Sequence, residues 1–101
     1  PTTLEGKRIE MIMKFEIPTA SGTVEKLYWC PGTVKRAVKD QLMVGRKKYT
    51  HGWAEVEWDG EEPRAKRTWW QHLRQSFYEK HKYGGWGVME GDVSRGDGVG
   101  R

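Results

Sequence analysis

At 101 residues, with 36% hydrophobic and 12% aromatic content and six tryptophans, the chain can build one small domain around an aromatic-rich core, not two. A net charge of +4 and an isoelectric point near 9.3 favour acidic partners such as nucleic acid or phosphorylated surfaces. One cysteine excludes an internal disulfide and fits a reducing compartment, and no apolar run reaches the roughly 18–20 residues of a membrane span.

In "RIEMIMKFEI", Ile9, Met11, Met13, Phe15 and Ile17 alternate with Glu10, Lys14 and Glu16, which predicts a first strand over residues 8–17. Ile12 breaks the alternation, so the outer face is expected to be partly covered as well. Pro18 and "TASG" should stop the strand and turn the chain. A second strand is predicted over residues 26–38, with Tyr28 and Cys30 facing one way, Leu27 and Trp29 the other, and a bend or bulge at Pro31-Gly32. Trp29-Cys30-Pro31 superficially suggests a thioredoxin-type redox loop. That chemistry needs a second thiol, and Cys30 is the only cysteine in the chain; it reads as a small buried hydrophobe.

The polar stretch "KDQLMVGRKKYTH" is expected to be a loop or distorted hairpin. "GWAEVEWDG" is the clearest strand. Ala54, Val56 and Trp58 lie on one side and Trp53, Glu55 and Glu57 on the other, closed by the turn signal Asp59-Gly60. "RTWWQHL" suggests a fourth strand passing into a short helix through "RQSFYEKHK", and "YGGWGVME" a last short strand in which Trp86 plugs an open end. The domain is expected to occupy residues 1–90 and to be followed by a flexible glycine-rich tail over 91–101. The start at Pro1, without a methionine, reads as a piece cut from a longer protein.

Four or five short strands without disulfides suggest a small antiparallel barrel, mainly β, with a short C-terminal helix or helical turn. The run "EGKRIEMIMKF", then "YWCPGTVKRA", then "AEVEWDG" resembles the Tudor and agenet branch of the Royal superfamily over about residues 4–73. The resemblance implies an SH3-like barrel. It also implies a nuclear, chromatin-associated, non-catalytic module that reads methylated lysine or arginine on histone or other protein peptides. Some members of that superfamily bind DNA or RNA. A methylated cation keeps its charge and loses hydration, so converging aromatic faces hold it at roughly 0.5–2 kcal/mol per good contact.

Matched by position, Trp58 falls on the family's cage aromatic and Asp59 on its acidic or polar member. The first-strand aromatic falls on Met13 or Phe15, of which only Phe15 is a ring. The second-strand aromatic falls on Cys30, a departure that leaves Tyr28 or Trp29 to replace it. Beside this reading stands the plain one, in which Trp58 packs in the core with Ala54 and Val56. A second function class is nucleic-acid binding by a basic rim of Lys35, Arg36, Arg46, Lys47 and Lys48, with Lys39 nearby and a further cluster at Arg64, Lys66 and Arg67. His51, His72 and His81 are scattered and form no zinc spacing, the acids form no pair beside a nucleophile and base, and neither an enzyme nor a metal or other cofactor is expected.

Overall fold

The computed structural model describes residues 4–59, 67–91 and 95. Among these residues seven strands follow one another: β1 (Arg8–Thr19), β2 (Gly22–Ala37), β3 (Gln41–Val44), β4 (Lys47–Thr50), β5 (Trp53–Trp58), β6 (Arg67–His72) and β7 (Trp86–Val88). One 3-10 turn, Gln75–Phe77, lies between β6 and β7. Five strands form an antiparallel sheet in the order β6-β5-β2-β1-β7, and β3 and β4 make a separate hairpin. No helix among the described residues is long and apolar enough to cross a membrane.

The class is the expected one, a small antiparallel β domain with a short C-terminal helical turn. The barrel, however, is not closed: β6 and β7 lie at opposite ends of the sheet. Only three residues long, β7 pairs with Ile9–Met11 of β1, and its Trp86 also bridges Tyr78. Side chains complete the enclosure instead. Trp86 is buried with Ile9, Met11, Val34, Ala54, Val56, Trp58 and Leu73, and its Nε1 donates to the Arg74 carbonyl at 2.8 Å.

The alternation in the first segment correctly places Ile9 and Met11 in this core, and Ile12 is buried on the other face. The chain returns alongside it at the edge of β1. Ile12 N–H donates to the Gly85 carbonyl at 2.7 Å, Gly84 N–H donates to the Ile12 carbonyl at 3.0 Å, and Glu79 N–H donates to the Trp86 carbonyl at 2.7 Å.

β1 and β2 form one long hairpin, whose paired residues run from Arg8 with Thr33 to Thr19 with Gly22. The first strand therefore does not stop at Pro18, which pairs with Thr23, and the second begins at Gly22 rather than Lys26. The stretch beyond Met13 projects from the core as an exposed arm, where a proline interrupts no third strand.

The bulge expected at Pro31-Gly32 lies further on, between Val34 and Arg36. Gly32 has a different task. It faces Trp58 across the β2–β5 pair, and a Cβ there would come within 2.8 Å of both Trp58 Cε3 and Val56 Cγ1 and 3.0 Å of the Glu57 carbonyl oxygen. The bare backbone lets the Trp58 ring lie against β2. Gly32→Ala is therefore expected to cost about 1–3 kcal/mol by overpacking, read as a lower urea midpoint at unchanged slope.

The polar stretch after β2 resolves into the β3–β4 hairpin, turned at Gly45-Arg46 with Gly45 at φ +62°. Its Tyr49 is buried against the sheet's outer face, stacked on Trp70 with centroids 4.3 Å apart and tilted against Trp53 at 5.5 Å.

A candidate arginine-binding site

The five residues aligned with an aromatic cage go to three places. Directly paired residues of an antiparallel ladder share a face, as do residues two pairs along, so Phe15 and Tyr28, two pairs apart, meet edge to face at 5.6 Å on the arm, with Phe15 43% exposed. Trp58 lies on that same face but opposite Gly32, four residues further along β2, and is only 4% exposed among the core side chains. Its ring meets Trp69 at 5.6 Å. Asp59 is held by the Arg8 guanidinium through two hydrogen bonds, one from Nη1 to Oδ1 at 2.8 Å. Cys30 sits between Tyr28 and Gly32 opposite Met11, and burial pushes its thiol above the ordinary value, as expected of an inert cysteine. The open Phe15–Tyr28 pair and the buried Trp58 do not form one pocket.

Trp29, next to Tyr28, points to the opposite face, and there the structure builds a site that the sequence did not announce. Glu10 lies at the centre of that face, paired with Pro31 on one side and Gly87 on the other. Neither neighbour offers a side-chain donor. The carboxylate is nevertheless buried, the residue being 2% exposed.

One of its partners is Arg95. The Arg95 backbone N–H donates to Glu10 Oε1 at 2.9 Å, and Arg95 Nε pairs with Glu10 Oε2 at 3.0 Å. Arg95 Nη2 donates to Glu79 Oε1 and Oε2 at 3.0 and 2.9 Å. The guanidinium carbon lies 4.1 Å from the centroid of the Trp29 ring, whose edge meets His81 at 5.7 Å. Two carboxylates in its plane and an indole face beneath it satisfy the three ways in which a guanidinium is recognised: charge, directed N–H donation and stacking.

The surrounding backbone is shaped to this geometry. Glu79 is the one non-glycine with positive φ among the described residues, at +59°, a conformation rarely kept unless its surroundings hold it. A side chain at Gly87 would overlap Glu79 Oε1 and lie 3.2 Å from Arg95 Nη2. Gly87 thus keeps open the space in which the two groups meet. The remaining tail positions, 92–94 and 96–101, lie outside the described residues.

The predicted basic rim divides in two. Lys35 and Arg36 face carboxylates, Lys35 with Glu57 at 4.0 Å and Arg36 Nε with Glu55 at 2.9 Å, and Arg36 also lies over Trp70 at 5.0 Å. Arg46, Lys47 and Lys48 are exposed on the β3–β4 hairpin and make no ion pair among the described residues; Lys47 lies 5.5 Å over Tyr49. Of the second cluster, Arg64 and Lys66 lie outside the described residues, and Arg67 is exposed at the start of β6. Comparison with protein-family models, with curated proteins and with solved structures gives no match for this chain.

Proposed function

We propose that the chain is a non-catalytic interaction module that takes an arginine side chain of a partner peptide into the pocket of Glu10, Trp29, Glu79 and His81, with Arg95 as the occupant from its own tail. The observation that carries this reading is the buried Glu10 carboxylate. An anion so enclosed demands a cation, and the second carboxylate and the ring face fit a flat guanidinium rather than a compact ammonium. Arginine is therefore favoured over lysine. Nη1 is the one guanidinium nitrogen with no hydrogen bond among the described residues, so a methyl group on it keeps the charge and both carboxylate contacts. The resemblance to Tudor and agenet readers supports a methylated arginine on a histone or other nuclear protein as the natural guest.

The test removes the resident. Arg95→Ala, titrated with short glycine-flanked peptides, is expected to bind the arginine and Nη1-methylated peptides, to bind lysine at least about tenfold more weakly, and to ignore the uncharged citrulline analogue. The intact chain should bind arginine at least about tenfold more weakly than the variant, because the tail competes. Equal affinity for arginine and citrulline, or no binding to the opened pocket, overturns the reading.

A second reading, nucleic-acid binding, is favoured by Arg46, Lys47 and Lys48, three exposed cations on one hairpin with no carboxylate partner among the described residues. Three phosphate contacts predict a log–log salt slope of about −2 to −3, lost on reversing Lys47 and Lys48 to glutamate. A salt-insensitive affinity contradicts it.

A further inference from the structure

A groove of 510 Å3 opens between β1, β6 and the segment that runs from the 3-10 turn to Gly84. Met13 of β1, Trp69 and Gln71 of β6, Phe77 of the 3-10 turn and Tyr83 form its walls. Two of these rings are open to solvent, Trp69 at 40% and Tyr83 at 60% exposure.

The charges around the groove have one sign. Lys14 and Arg74 line it, and no carboxylate among the described residues does. Lys14 Nζ is held 5.3 Å over the Tyr83 ring, and Lys82 Nζ and Arg74 Cζ lie 4.4 and 5.9 Å from the Phe77 ring. Because the chain's own cations already lie over these rings, a cationic guest would meet like charge. An anion carrying a flat apolar ring meets both of its needs. Gln71 adds a polar edge. Its Oε1 accepts from Trp69 Nε1 at 3.3 Å, which leaves its amide N–H groups for a guest.

We infer that this groove receives an unpaired base of a single-stranded nucleic acid, stacked on Trp69, with the adjoining phosphates against Lys14 and Arg74. The inference rests on the nucleic-acid reading of the basic hairpin and names the form of nucleic acid that reading concerns. The two surfaces adjoin, since Trp53 lines the groove and touches Tyr49 of the hairpin. A duplex keeps its bases stacked on each other and cannot place one in such a groove, whereas a single strand presents its ring faces freely.

The experiment uses the intact chain and fluorescein-labelled oligo(dT) and oligo(rU) of about twelve nucleotides, within the span of small single-strand binders, with a duplex of equal length and a mononucleotide beside them. The strands are expected to bind about tenfold or more tightly than the duplex. Tyr83→Ala and Trp69→Leu should remove that preference without altering duplex affinity; Tyr83 is too exposed to be needed for folding, and leucine at position 69 still covers Trp58. Charge reversal at Lys47 and Lys48 should weaken strand and duplex alike. Equal binding of strand and duplex, unchanged in both groove variants, overturns the groove and leaves the hairpin reading standing. No binding of any oligonucleotide overturns both. Binding of the mononucleotide as tight as that of the strand makes this a nucleotide pocket and contradicts the inference.

Discussion

Trp58→Ala is expected to lower folding stability by about 3–5 kcal/mol. The ring is almost fully enclosed, lies against the bare backbone of Gly32 and meets Trp69, and removing it leaves a cavity that β2 and β5, held in register on both sides of it, cannot collapse to fill. Small domains have roughly 5–15 kcal/mol to lose, so the variant should be largely unfolded at moderate temperature, as read by urea titration and near-UV dichroism. Trp58→Phe should cost less than about half as much. It keeps most of the apolar surface and removes an indole N–H that has no hydrogen-bond partner among the described residues. A cage aromatic behaves in the opposite way, since its truncation abolishes ligand binding and leaves the fold almost untouched. An alanine variant as stable as the parent would contradict the placement of Trp58 in the core.

The second large effect is expected at the arginine site. Arg95→Ala should cost about 2–4 kcal/mol, somewhat less than the 3–5 kcal/mol of a fully enclosed pair, because the Arg95 side chain is one-third exposed and water can follow it out. What is lost is chiefly the compensation of Glu10. Adding Glu10→Gln to the Arg95→Ala background should therefore recover stability, since a neutral amide is less costly to bury than a carboxylate that has lost the Arg95 guanidinium. A double-mutant cycle should give a coupling of about 1–3 kcal/mol. Additive losses would mean that Arg95 does not act through Glu10, and no loss on removing Arg95 that the tail contact contributes nothing to the fold.

How far the sequence anticipated all this depends on whether the information was local. The alternation of Ile9 and Met11 and of Ala54, Val56 and Trp58 follows from the two-residue period of a strand, and each of these side chains is buried. The break at Ile12 truthfully announced a second covered face. Register was not legible. Tyr28 and Trp58 share a face, yet the pairing that sets Trp58 against Gly32 separates them by four residues, about 13 Å of strand. That offset is set by the β2–β5 register, with its bulge after Val34, which no local signal announces. Pro31-Gly32 signalled a bend when its glycine in fact makes room for a ring from another strand.

The arginine site was the least visible. Glu10, flanked by apolar neighbours at alternating positions, looked like an ordinary solvent-facing charge, and Arg95 stood in a glycine-rich tail with nothing near it to bury. Their pairing spans 85 positions in the sequence and depends on Gly87 and on the left-handed turn at Glu79, both long-range conditions. The single available hint was Ile12, because a face that hides an isoleucine two residues from Glu10 must hide Glu10 as well.

The most direct test of the arginine site is a two-dimensional NMR titration of 15N-labelled Arg95→Ala with acetyl-Gly-Arg-Gly amide, following the Trp29 indole and the backbone amides. The expected result is saturable shifts concentrated at Glu10, Trp29, Glu79 and Gly87, reproducing the positions those signals hold in the parent chain. Shifts scattered over the surface, or gathered at Phe15 and Tyr28 with Trp29 unmoved, would show that the pocket is not where this protein receives a guanidinium.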